Sequence, residues 1–89
     1  MKAVITVTGK DGVGIIAKVS ALLAENDINI VDISQTTYEE NFLMVMVADM
    51  EKSKISFSQT VSELVRLGEE IGQRIQVRNK NVFDSMHRI

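Results

Sequence analysis

The residues with the clearest capacity for chemistry lie in the stretch Thr8-Gly9-Lys10-Asp11-Gly12-Val13-Gly14-Ile15-Ile16, which holds three of the five glycines in the chain. Glycine tolerates positive φ and lets a ligand approach the backbone closely. An alternating apolar run precedes this stretch and a helix-period run follows it, so it reads as a strand-to-helix turn. The first amides of that helix have no intrahelical partners and stand as donors at the positive end of a helix dipole, a setting that suits a small anion or a carboxylate. Asp11 could hold an ammonium, and Asn29, where a second strand begins, offers an amide donor and acceptor. Together these groups would bind a zwitterion. An isolated glycine-rich loop of this kind reads first as a tight turn with no ligand, and Asp11 equally as a helix cap or turn residue.

Other chemistries lose by missing parts. His87 is the only histidine and sits in a tail beside Arg88, without the companions that a general base or a metal ligand needs. Glu39-Glu40 and Glu69-Glu70 fall in a turn and on an exposed helix side, where they read as solvated charges. Ser53, Ser56, Ser58 and Ser62 have no nearby His or Lys to make one a nucleophile. The glycine stretch matches neither GxxxxGK[ST] nor GxGxxG. The first arginine is Arg66, so a phosphate-gripping arginine near the loop is missing, and there is no cysteine for a CxxC metal site. No catalytic constellation, metal site or cofactor is expected.

These residues must be positioned by a small scaffold. Eighty-nine residues make one domain with a single core. A hydrophobic content of 45% with 25% charged residues is ordinary for a soluble globular protein. A formal charge of −2 and four aromatic residues disfavour direct contact with nucleic acid, through backbone attraction or base stacking. The apolar run Phe42–Ala48 is far short of the roughly 20 residues that span a bilayer, and no signal peptide is visible. The absence of cysteine fits the cytoplasm.

Periodicity then gives the elements. Lys2–Thr8 alternates as a strand. Ile15, Ile16, Val19, Leu22 and Leu23 form one stripe of a helix that stops at Asn26-Asp27, where Asn26 suits a left-handed cap. Ile28–Tyr38 reads as a second strand whose alternation slips, either at a bulge or because both faces are covered near its start. Glu39-Glu40-Asn41 turns the chain into Phe42–Ala48, a strand apolar on both faces. One helix layer covers only one side of a sheet, so this third strand calls for a second partner on the open side, and a homodimer is the simplest supplier. Ser56 and Gln59 match a capping box ahead of a helix with Phe57, Val61, Leu64, Val65 and Ile71 on one face. Arg74–Lys80 alternates as an edge strand with a basic outer face. Val82, Phe83, Met86 and Ile89 place a short helical tail that should dock on the sheet or a neighbour. The order βαββαβ implies an α+β, ferredoxin-like sandwich: a four-stranded antiparallel sheet, two helices on one face and a short C-terminal helical tail.

The segments Thr6–Ile15 and Asn26-Asp27-Ile28-Asn29-Ile30 resemble the first strand and loop, and the second-strand start, of the ACT domain family. The resemblance runs from Lys2 to about Lys80. Among family branches the chain is most similar to stand-alone, single-domain proteins of the glycine-cleavage-system repressor-like type, including its Phe83-Asp84-Ser85-Met86-His87-Arg88-Ile89 ending. In ligand-binding relatives the effector sits between two protomers. By position, the resemblance implies Asp11, Gly12, Val13 and Gly14 from one chain with Asn29 and Ile30 from its partner. Val13 fills a slot that in the family often holds proline, which leaves a freer turn with an added N–H donor.

The expectation is a domain over residues 1–80 with a tail over 81–89, acting as a cytoplasmic, non-catalytic regulatory module. It would sense an amino acid at a homodimer interface and signal to a protein partner as yet unknown, with no direct nucleic-acid or membrane contact. The alternative is a protein-interaction or dimerisation module of the same fold that binds no ligand.

Overall fold

Alternating β-branched and aliphatic residues place two strands at the centre of the sheet. In the computed structural model, which describes residues 1–87, β1 (Lys2–Lys10) lies between β3 (Asn41–Asp49) and β4 (Gln73–Asn79), and β2 (Asn29–Tyr38) completes the order β2-β3-β1-β4. All three pairings are antiparallel. The helices α1 (Ile15–Glu25) and α2 (Phe57–Ile71) are the two crossovers, and α3 (Lys80–Met86) follows β4 directly. This is the ferredoxin-like arrangement with its C-terminal helix. No helix among the described residues is long and apolar enough to cross a membrane.

The core lies on one face of the sheet. Ala3, Ile5 and Val7 of β1 and Met44, Met46 and Ala48 of β3 are fully buried against Val19 and Leu23 of α1 and Leu64 of α2. Each of the larger of these side chains contributes about 1.5–3 kcal/mol on leaving water, so this layer dominates stability. The opposite face is half covered. Leu43 is 42% exposed while Val45 and Val47 are half-buried. Val4, on the same face, is 3% exposed, consistent with α3 packing against β1 and β4. The tail therefore docks, although Val82 and Met86 remain more than half exposed. Ile89 falls outside the described residues.

The slipped alternation of β2 is a bulge: the register with β3 shifts between Ile30 and Asp32, leaving Val31 as the extra residue. The capping box at α2 is formed in both directions, with Gln59 N donating to Ser56 Oγ at 3.1 Å and Ser56 N donating to Gln59 Oε1 at 3.0 Å. Two expectations differ in detail. Asn26 is not the left-handed residue after α1, having φ −105°; Asp27 is, at φ 57°. Val65 is 40% exposed, and the buried stripe of α2 runs instead through Thr60, Leu64 and Gly68. Small residues occupy that stripe because α2 closes tightly on β4, where a Cβ on Gly68 would come within 2.6 Å of the Gln73 carbonyl oxygen.

Candidate functional site

The glycine loop begins where β1 runs out. Lys10 still pairs with Asn41, and Asp11 N then donates to Glu40 O at 2.8 Å, tying the loop to the β2–β3 turn. Beyond that point Asp11, Gly12 and Val13 are exposed, Val13 completely. The N-cap of α1 is Gly14, with φ 84° and no side chain to cap the helix. Its conformation is the reason glycine is needed there. Asp11 is thus not the cap. The first helical bond runs from Lys18 N to Gly14 O, so the amides of Ile15, Ile16 and Ala17 are left as the donors anticipated from the sequence.

The three loop glycines have different roles. Gly9 is demanded by a close approach from β4: a Cβ there would lie 2.6 Å from Gln73 Oε1. At Gly12 a Cβ would meet only Ile15 Cδ1, at 3.9 Å. No backbone or packing constraint in the structure requires glycine at 12.

Gln73 carries no signal in the sequence. It is the first residue of β4, 8% exposed, and crosses over Gly9, so that Nε2 donates to Lys10 O at 2.6 Å. Its Oε1 is buried without a partner. Leaving such an acceptor unmet costs about 1–3 kcal/mol, whereas a neutral hydrogen bond returns about 1 kcal/mol.

Two clefts open on either side of the loop. One, of about 340 Å³, lies between the loop, Ile15 and Lys18 of α1, and the α2–β4 corner at Ile71, Gly72 and Gln73. The other, of about 510 Å³, lies between the loop with the start of α1 and the distal half of β2, at Gln35 and Thr37. Asp11, Gly12 and Ile15 border both.

Asn29 and Ile30 are not part of this assembly. Register sets Asn29 opposite Asp49 and, through it, Lys2, at one end of the sheet, whereas Lys10, Asn41 and Tyr38 mark the loop end. Eight residue steps at about 3.3 Å each separate the two ends by roughly 25 Å. Asn29 borders a different, polar hollow with Asp27, Asp49 and Glu51. Within one protomer the loop and the start of β2 cannot touch one ligand.

No group of three or more His, Cys, Asp or Glu able to hold a metal occurs among the described residues. His87 stacks on Phe83 with ring centroids 4.1 Å apart, and its Nδ1 lies 2.7 Å from Phe83 O. It is engaged within its own helix rather than with the loop.

Residues 2–78 match the family model of the ACT domain. The chain belongs to the ACT domain family. By family it is a regulatory module. It is 49% identical over 89 residues to a UPF0237 protein of Clostridium acetobutylicum, covering 100% of each chain. Among solved structures it is similar to an ACT domain protein from Streptococcus pneumoniae, with a TM-score of 0.82, 39% identity and 94% of each chain covered. It is also similar in fold to a putative glycine cleavage system transcriptional repressor, with a TM-score of 0.74 and 22% identity; 86% of this ACT domain and 44% of that chain are covered.

Proposed function

We propose that this ACT domain is a cytoplasmic, non-catalytic sensor that binds an amino acid between two copies of itself and passes the occupancy to a protein partner. The observation that carries this reading is the cleft between the glycine loop and β2, which opens toward an edge strand with no neighbour on its outer side. Every residue of β2 but Ile30 is exposed. Antiparallel pairing of two such edges, about a twofold axis normal to the sheet, brings the start of one β2 to the end of the other. Asn29 and Ile30 of the partner subunit then stand at the mouth of the cleft bordered by Asp11, Gly12 and Gly14, with Val13 exposed on the loop beside it. The unpaired amides at the start of α1 suit the effector's carboxylate, and Asp11 with Asn29 of the partner subunit suits its ammonium. Occupancy favours the paired state over the separate one, which is how a module without chemistry regulates.

A thermal-shift screen against the free amino acids, with mass followed by light scattering, tests the reading. A stabilisation of several degrees by one or two amino acids in a dimer is expected, since a ligand bound to the native state alone raises apparent stability. Asn29→Ala should fold normally and lose that shift. A dimer that no amino acid stabilises would transfer the case to the second reading, a ligand-free interaction module. What favours that reading is the half-covered stripe of Leu43, Val45 and Val47 on the open sheet face.

A further inference from the structure

The face of the sheet away from α1 and α2 carries an order that its register sets. Residues directly opposite one another on antiparallel strands share a face. Val47 therefore lies between Asp32 and Val4 in one row, and Leu43 between Thr36 and Thr8 in another, with Val45 midway between them and level with Ser34. On β4 the first of these rows ends in Arg78 and the second in Arg74. Charge thus stands at the margins of the face, and the stripe along β3 has none. α3 packs over β1 and β4, where Val4 is buried, while Leu43 remains 42% exposed and Val45 and Val47 are half-buried. A sheet face left to water ordinarily turns polar, and this strand does not.

We infer that a second copy of this chain seats on the open face, about a twofold axis that runs across the strands through Val45. Such an axis keeps each strand over its like and reverses its direction, so that Val45 meets Val45 of the partner subunit and Leu43 meets Val47 of the partner subunit. The stripe is complementary to its own reverse, with Asp32 opposite Thr36 of the partner subunit on a polar rim. The same axis sets α3, which packs over β1 and β4 near Val4, opposite the Arg74 end of the partner's β4. Arg74 is exposed and makes no ion pair among the described residues, and Asp84 on α3 is 54% exposed, so unlike charges face each other and fix the register. Magnitudes favour this face over the β2 edge as the standing contact. The edge, ten residues at about 3.3 Å each and roughly 10 Å deep, offers roughly 330 Å² a side. The face, four strands about 4.8 Å apart and about 30 Å long, offers roughly 570 Å² a side in projection. A specific interface needs about 1,000 Å² over both partners, which the face reaches and the edge does not. The axis leaves the sheet at Ser34, midway along β2, so edge pairing about that point shares its centre and the two associations close at four chains.

The test is mass by light scattering for the wild type, Val45→Lys, Leu43→Asp and Val47→Lys, at about 100 μM, above the micromolar weak end of standard-size interfaces. The wild type is expected as a dimer or tetramer and Val45→Lys at half its mass, because the axis sets the two lysines against each other. Leu43→Asp and Val47→Lys should each halve the mass alone, and an equimolar mixture of the two should recover it, since position 43 of one chain meets position 47 of the other. Neither edge pairing nor a foreign protein on the stripe gives that rescue. A monomeric wild type, a mass unchanged in Val45→Lys, or a mixture that stays dissociated each overturn the inference, and a monomer whose stripe is covered by another protein does so as well. Thermal unfolding checks that the variants are folded; should Val45→Lys fail, Leu43→Asp, at a position 42% exposed, carries the mass readout. None of the three positions borders the clefts at the glycine loop, so stabilisation by amino acids is read separately and the two proposals stand or fall independently.

Discussion

At the scale of single residues, the contact between Gly9 and Gln73 decides how the loop leaves β1. An alanine at 9 must displace the Gln73 amide or the strand, an overpacking that costs about 1–3 kcal/mol. Gly9→Ala is therefore expected to lower stability by about 2 kcal/mol in denaturant unfolding. The double variant Gly9→Ala/Gln73→Ala should recover most of that loss, giving a coupling energy above about 1 kcal/mol; strictly additive losses would show that the clash is not the cause. The sequence made the glycines of the loop visible but hid their partner. Gln73 lies 63 residues from the Lys10 carbonyl it binds, at the start of a strand expected to begin at Arg74. A polar residue at a strand's first position has no periodic signature. Its burial follows from tertiary approach alone.

At the scale of elements, hydrophobic period located every strand and helix, and local chemistry fixed the capping box at Ser56, whereas the slip in β2 was legible only as a bulge or a doubly covered start until the register with β3 decided for the bulge. The period placed Phe57, Leu64 and Ile71 on the packing face of α2 correctly but put Val65 there too and passed over the small residues. Thr60 and Gly68 are buried where Val65 was expected. This yields a prediction opposite to helix propensity. Replacing a mid-helix glycine with alanine ordinarily stabilises by about 1 kcal/mol. Here the new methyl would lie 2.6 Å from Gln73 O and 3.0 Å from Ile75 Cγ1, so Gly68→Ala is expected to lower the unfolding midpoint. A raised midpoint would show that α2 can lift from β4 at little cost.

At the scale of the whole molecule, the sequence could not say which site residues meet, because that depends on strand direction and register. The antiparallel ladders carry Asn29 to the end of the sheet away from the glycine loop. Only a second copy can reunite them, and the fold leaves β2 free to receive one. If β2 edges pair, raising the protein concentration about a hundredfold should increase the melting temperature by several degrees, because assembly adds stability by mass action. A midpoint independent of concentration, with a monomer mass, would mean that the edge is idle.

The bulge at Val31 bears on what that edge can accept. An exposed strand of ten residues is ordinarily a template for indiscriminate pairing, the first step toward fibrils. One extra residue near its start breaks the ladder, so only the run from Asp32 to Tyr38 offers regularly spaced donors and acceptors. The irregularity thus shortens the uninterrupted edge that any incoming strand could use, a brake on open-ended growth built from a single residue.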